Sequence, residues 1–270
     1  SAYHALSDIF AMGAKAQTAL AIATVPFGIE SKVETSLREM MAGALKILNE
    51  AGATLIGGHT SEGPELALGF SVNGLADHNS IIRKGGMVAG DVLIVTKPLG
   101  TGTLFAADMQ QKAKGRWIEG AIETMIQSNR EAAMCLYDHE VNACTDITGF
   151  GLLGHLVEMT KASRVDVQID LNSLPVLDGA QETISMGILS SLQPANLRLR
   201  RAIRNQGEAK ENERFPLIFD PQTSGGLLAS IPAEQAQSCL KVLQELGFTE
   251  ARIVGHVSKE SDYLEPIILN

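Results

Sequence analysis

Apolar positions along the chain follow two rhythms, one helical and one extended, in turn. From Ser31 to Gly52, "SKVETSLREMMAGALKILNEAG", residues Val33, Leu37, Met41, Ala44 and Leu48 recur three or four apart. That spacing lines them on one stripe of a helix. Ser31 with Glu34 has capping-box spacing, and Gly52 is a fitting helix stop. Helical patterns also cover about Leu104–Ala113, Ile118–Asp138 and Ala233–Gly247. Extended patterns lie between them. "ATLIGG" reads as a buried strand running into a glycine turn. "LALGFSVNGLA" (Leu66–Ala76), "DVLIVTKPLGTG", "VDVQID" (Val165–Asp170) and "ARIVGHV" are further strand candidates. "VNACTDITGFGLLGHLVEMT" reads as a strand, a glycine loop and a helix from about Leu152.

This alternation predicts an α+β or α/β chain with glycine loops at strand–helix junctions. No short-period repeat and no low-complexity tract interrupts it. The polar, glycine-bearing stretch "DHNSIIRKGGMVAGD" is the best connector. It suggests a first domain over 1–88 and a second over 89–270.

Composition narrows the picture. The chain has 270 residues, 45% hydrophobic and 20% charged, as expected of a folded globular protein. A net charge of −9 disfavours a phosphate-coating nucleic-acid binder. The one basic cluster, "LRLRRAIR" (Leu197–Arg204), reads as a solvated helix face. No apolar run reaches the roughly 18–20 residues that span a bilayer. Cys135, Cys144 and Cys239 are odd in number, far apart and free of CxxC spacing. They are expected to be buried small hydrophobes rather than a disulfide framework or zinc site, in a reducing cytoplasmic setting.

Four segments join glycine to polar or acidic residues beside predicted elements. Backbone amides in such loops attract phosphate oxygens. In "ALSDIFAMGA", Ser7 and Asp8 are either a helix N-cap or, for Asp8, a hard-oxygen ligand for Mg²⁺. In "GGHTSEGPE", Gly57–Glu65, the glycine pair with His59 and Thr60 is either an ordinary turn or part of a ligand site. In "TDITGFGLLGH", Asp146 either caps the following helix or holds a metal beside a phosphate cradle built on Gly149 and Gly151. His155 is expected to pack on that helix. In "DPQTSGG", Asp220–Gly226, Pro221 and the glycines fix a turn. The patterns GxxxxGK[ST], GxSxG and HExxH do not occur, so nucleotide chemistry would need another scaffold. Two distant aspartates beside glycine loops suggest metal-assisted phosphoryl transfer.

In this order, "ALSDIFAMGA", "GGHT", "TKPLGTG", "TDITGFGLLGHLVEM" and "DPQTSGGLL" resemble the selenophosphate synthetases (selenide, water dikinases). The resemblance covers nearly the whole chain. The wider superfamily holds aminoimidazole ribonucleotide synthetase, thiamine-monophosphate kinase and a hydrogenase maturation protein. In those relatives Glu often follows the glycine pair, where this chain has His59. The resemblance implies a two-domain α+β fold, with a dimerising N-terminal β domain and a C-terminal α/β domain. It implies a homodimer that makes selenophosphate from ATP, selenide and water, releasing AMP and phosphate. ATP would lie between the domains, with Mg²⁺ held by Asp8 and Asp146. Gly57, Gly58, His59, Thr60, Gly149 and Gly151 would border the nucleotide.

The family's catalytic Cys or selenocysteine, its catalytic Lys and further aspartates sit in a segment before "SDIFAMG", and none is in this chain. The sequence opens on Ser1. A piece of a longer protein, with little activity alone, is therefore expected, and its catalytic group is unassigned. Lys97 in "TKPLG" is expected to be an ordinary strand-end lysine. The alternatives are a related ATP-dependent phosphotransferase or ligase, or a non-catalytic ATP-binding domain.

Overall fold

A computed structural model describes residues 1–270, which divide into two compact units, Ser1–Ile81 and Ile82–Asn270.

The first unit runs α1 (Ala2–Ala11), β1 (Lys15–Pro26), α2 (Glu30–Glu50), β2 (Thr54–Gly63) and β3 (Ala67–Leu75). Its sheet has the order β2-β1-β3, with β1 parallel to β2 and antiparallel to β3. Alternation along β1 explains the layering. Ala19, Ala21, Ala23 and Val25 are buried, together with Leu6 and Phe10 of α1 and Ala44 and Leu48 of α2. Small alanines on that face let helices approach the sheet closely. The intervening residues, Leu20 and Ile22, face the other way and are exposed.

Two local readings change here and a third holds. The predicted turn at Gly57–Glu65 is strand: β2 continues through Gly57, Gly58, His59 and Thr60 to Gly63. Parallel pairing with β1 holds that segment extended, and Gly58 is needed for it. A Cβ at position 58 would lie 2.1 Å from the carbonyl oxygen of Ala21. The Ser31–Glu34 capping box does not form, because α2 begins two residues earlier, with Ile29 as N-cap and no side-chain cap. Gly52 does follow the helix end, at φ +76°.

The second unit is larger. In order it contains β4 (Val92–Val95), α3 (Thr101–Met109), α4 (Gly115–Ile126), α5 (Arg130–Asp138), β5 (Ala143–Asp146), α6 (Gly151–Ser163) and β6 (Val165–Ile169). Then come α7 (Ala180–Ser185), α8 (Gln193–Asn196), α9 (Gln206–Ala209), β7 (Leu227–Ile231), α10 (Ala236–Glu245), β8 (Arg252–Lys259) and β9 (Ile267–Leu269). Its six-stranded sheet has the order β5-β7-β4-β8-β6-β9, antiparallel except for β6 with β9. Strands β4, β5 and β7 are buried along nearly their whole length. A core of Leu93, Val95, Leu152, Leu156, Met159, Phe219 and Val254 fills one side.

Two predicted elements are revised. Ile118–Asp138 is two helices, broken at Gln127–Asn129. The basic cluster forms a short 3-10 helix; Arg198, Arg200 and Arg201 are exposed as expected, whereas Arg204 is tied down. Its guanidinium lies 2.6 Å from the buried Asp166 carboxylate and 4.3 Å from the Tyr263 ring.

Candidate active site

In the second unit, Asp146 ends β5 and is buried at 4% exposure, below a loop whose tip, Gly149 and Phe150, is exposed. The capping alternative for Asp146 fails: α6 has Phe150 as its N-cap and no side-chain cap. The loop is held from below. His155 Nε2 accepts from the Thr148 amide at 3.0 Å and lies 3.1 Å from the Thr148 hydroxyl. Asn196 donates to the carbonyls of Gly149 at 2.8 Å and Phe219 at 3.0 Å. Gly151 sits at φ +66°, where a Cβ would come within 2.9 Å of the Ile218 carbonyl oxygen. His155 therefore does pack with its helix, and its role is to fix this loop.

The "DPQTSGG" segment lies across the same region and explains its own composition. Gln222 Oε1 accepts from the Gly100 amide at 3.0 Å, the Thr101 amide at 3.3 Å and the Thr101 hydroxyl at 3.2 Å. Asp220 Oδ2 accepts from the Gly102 amide at 3.0 Å. The first amides of α3 are thus capped by side chains about 120 positions away in sequence. A helix start opened by "PLGTG" could have received phosphate. Here Asp220 and Gln222 already occupy it.

The loop's second half is stitched to its surroundings as tightly. Asn129 donates to the Gly225 carbonyl at 2.9 Å, and the Ser224 hydroxyl donates to the Met125 carbonyl at 2.8 Å. The Gln222 amide donates to the Thr148 carbonyl at 2.9 Å, and Ile147 N to the Gly226 carbonyl at 2.8 Å. The segment therefore joins the α3 start, the α4–α5 break and the Asp146 loop.

Lys97 is not the ordinary strand-end lysine expected. It is 1% exposed. Its Nζ donates to the Gln127 carbonyl at 2.6 Å and to the Ser224 carbonyl at 3.4 Å. Burial pulls its pKa down to about 7, against the nearby Asp146 charge, which raises it. Its length and its place after a buried strand did not reveal this. No local signal could have, because the carbonyls that hold its Nζ come from positions 127 and 224.

Asp220 is the opposite case. Burial raises its carboxyl to about 7, partly offset by the Gln222 amide and the Gly102 backbone. The unfolded carboxyl titrates near 3.8. The folded pKa is the higher one, so this group's stabilisation is complete below about pH 4 and is lost as pH rises through about 7. The loss over that interval is at most ~4 kcal/mol. Asp220→Asn should remove it. Denaturation at pH 5 and pH 8 is expected to show the variant gaining on the wild type at the higher pH. An equal difference at both pH values would contradict the assignment.

The structure gathers Asp146, Gly149 and Gly151 with Lys97 and the 220–226 loop. The other expected site residues lie in the first unit. Asp8 is exposed in the second half of α1, well past the helix start, so it is not an N-cap. Helix α1 packs chiefly over β3 and β1. Gly57, Gly58, His59 and Thr60 lie on β2, at the opposite edge of that sheet.

Residues 1–76 match the family model of the AIR synthase related protein N-terminal domain, and residues 88–264 match that of its C-terminal domain. Solved structures share the fold. The chain superposes on E. coli HypE, a hydrogenase maturation protein, with TM-score 0.75 at 17% identity, over 99% of this chain and 75% of that one. For thiamine-monophosphate kinase from Stenotrophomonas maltophilia the values are 0.71, 18%, 98% and 75%. The class is therefore that of the AIR synthase related proteins, two-domain α+β. Closer relatives narrow it. Selenide, water dikinase of Pelobacter propionicus is 39% identical over 269 residues, covering 100% of this chain and 76% of that protein. The Clostridioides difficile enzyme of the same name is 37% identical over 260 residues, covering 95% and 73%. The chain belongs to the selenide, water dikinase family.

Proposed function

We infer that this protein is a selenide, water dikinase, forming selenophosphate from ATP, selenide and water with release of AMP and phosphate. The observation that carries this is likeness along essentially the whole chain to enzymes of that name, 37–39% identical. A solved HypE structure with ATP shares the fold, with TM-score 0.73. The test is product analysis. With ATP and selenide, the chain extended by the family's upstream catalytic segment is expected to yield AMP and inorganic phosphate beside selenophosphate, and Ser1–Asn270 alone little product. ADP as the sole nucleotide product would overturn the reading.

Asp146 is assigned to Mg²⁺, and Asp8 is assigned the same role in the first unit. A carboxylate suits this hard cation, which keeps part of its water and takes phosphate oxygens as its other ligands. When bound, Mg²⁺ would neutralise charge developing on the phosphates. The buried setting of Asp146 supports the assignment: a carboxylate at 4% exposure beside a lysine drawn toward neutrality gains most from a cation. Gly149 and Gly151 would let the loop backbone approach phosphate. Gly57, Gly58, His59 and Thr60 would border the nucleotide from an extended edge strand, not from a phosphate-cradling turn.

A homodimer through the first unit belongs to the same reading. Ile22 and Ile56 are 58% and 59% exposed on the sheet side away from α1 and α2, and β2 is an exposed edge. A second copy would cover both. Ile22→Glu is expected to shift the sedimenting species from dimer to monomer with the fold intact. A dimer unaffected by Ile22→Glu and by Ile56→Glu would place the contact elsewhere. A cytoplasmic location fits too, since selenide and reduced thiols persist in a reducing setting.

A further inference from the structure

Outside the site above, three donors meet where α5 packs on α10. The buried stripe of α5 is Ala132, Ala133, Cys135 and Leu136; that of α10 is Ala236, Cys239 and Leu243. The contact brings Cys135 Sγ to 3.9 Å from Cys239 Sγ. His139 caps the C-terminus of α5, four residues beyond Cys135 and so on the same edge. Its Nδ1 is 3.8 Å from Cys135 Sγ. All three ligand atoms lie within 4.8 Å of one another. The 104-residue separation of the two cysteines hid this pairing from the sequence, which argued against any cysteine site.

We propose that Cys135, His139 and Cys239 bind a zinc-like divalent cation that clamps α5 to α10. The geometry carries the choice of ligand. On tetrahedral zinc, two thiolates stand about 3.8 Å apart and a thiolate and imidazole nitrogen about 3.6 Å apart, given the usual bond lengths. The two separations at Cys135, 3.9 and 3.8 Å, match these to within a few tenths of an ångström, and Cys239 Sγ and His139 Nδ1, within 4.8 Å of each other, come to that spacing as the ring turns. A disulfide would need the sulfurs to close to about 2.05 Å, a far larger shift between two packed helices. Two thiols and an imidazole also suit zinc and reject Mg²⁺, which separates this site chemically from the carboxylates above.

Binding releases the two thiol protons and moves the imidazole proton from Nδ1 to Nε2. Nδ1 now lies 2.7 Å from the Cys135 carbonyl oxygen, and the metal would replace that contact. The half-exposed ring at the helix end has room to turn. The Cys135 thiol is already drawn down to about 7, chiefly by its hydrogen bond with Cys239 and further by His139, against burial and the Asp138 charge. The fourth position would take water on the half-exposed flank beside His139.

The test uses the full chain, reduced and freed of metal by a chelator, titrated with Co²⁺. One equivalent is expected to produce thiolate-to-cobalt charge-transfer absorption with tetrahedral d–d bands, both erased by zinc. Cys239→Ser should weaken binding by at least about 100-fold, and His139→Gln by about tenfold or more, as loss of a direct ligand costs no less than loss of its support. Cys144→Ser, at a cysteine outside the cluster, should change neither. No charge-transfer absorption, or absorption unaltered in Cys239→Ser, overturns the proposal. Unaltered affinity in His139→Gln overturns the three-donor assignment. Should Cys239→Ser fail to fold, the wild type decides: native mass spectrometry of the reduced, metal-freed chain after one equivalent of zinc is expected to show one zinc retained with loss of two protons, and a chain that retains no zinc overturns the site.

Discussion

Gly225→Ala is expected to cost at least ~3 kcal/mol of stability, the upper end for overpacking a core. The added Cβ would lie 2.3 Å from the Ile147 carbonyl oxygen and 2.9 Å from the Gln222 Cβ. Neither neighbour can yield easily. Ile147 is fixed by the hydrogen bond its backbone N–H donates to the Gly226 carbonyl at 2.8 Å. Gln222 is fixed by the α3 amides that it caps. A shift at position 225 also strains the 2.9 Å bond from Asn129 to its carbonyl. Against a total stability of roughly 5–15 kcal/mol, the variant should melt about 6–12 °C lower or fail to accumulate. Gly149→Ala is the control. A Cβ there meets nothing within 4 Å. Its melting temperature should stay within a degree or two, as for most substitutions with no named fault. Calorimetry on both variants decides the matter. Equal melting temperatures would contradict the clamp role given to the 220–226 loop.

Asp146→Asn carries the second large effect, on ligand binding rather than on the fold. The wild type should gain thermal stability from Mg–ATP, because a ligand that binds only the folded state stabilises it. The variant should lose nearly all of that gain, equivalent to an affinity loss of about 100-fold, or ~2.7 kcal/mol. Without ligand, the fold should persist: asparagine keeps the shape of the side chain, and the cost is the charge pairing with buried Lys97, whose pKa Asp146 raises. Asp8→Asn should likewise lower Mg–ATP affinity, and with little effect on stability, since Asp8 is exposed. A drop in the ligand-free melting temperature of Asp146→Asn with retained Mg–ATP stabilisation would make Asp146 a structural residue.

Much of this architecture was readable because its elements carry strong local periodicity. The α2 stripe, the α10 stripe and the alternating strands β3 and β6 all depend on neighbours within the same segment. Motif order identified the family, since loops such as "TDITGFG" and "DPQTSGG" are constrained at nearly every position. The Gly225 and Gly226 backbones each approach another chain segment closely. What stayed hidden depends on residues distant in sequence. "GGHT" looked like a turn because glycine pairs usually break strands, yet parallel pairing with β1 holds it extended. Local spacing favoured Ser31 as a cap, while the chain before it enters the helix at Ile29. Lys97 looked exposed because lysine seldom buries its charge. It is buried because carbonyls of Gln127 and Ser224 converge on its Nζ. Gln222 gave no sign that it caps a helix 120 residues upstream, because capping rules look only at adjacent positions.

The most direct test of the account is isothermal titration of ATP into the wild-type chain, with magnesium present and again with magnesium removed by EDTA. Binding in magnesium that falls by at least about tenfold in EDTA is the predicted result, because carboxylates would otherwise repel the phosphates. Equal affinity under both conditions would contradict a metal-bridged nucleotide and remove the role assigned to Asp146 and Asp8.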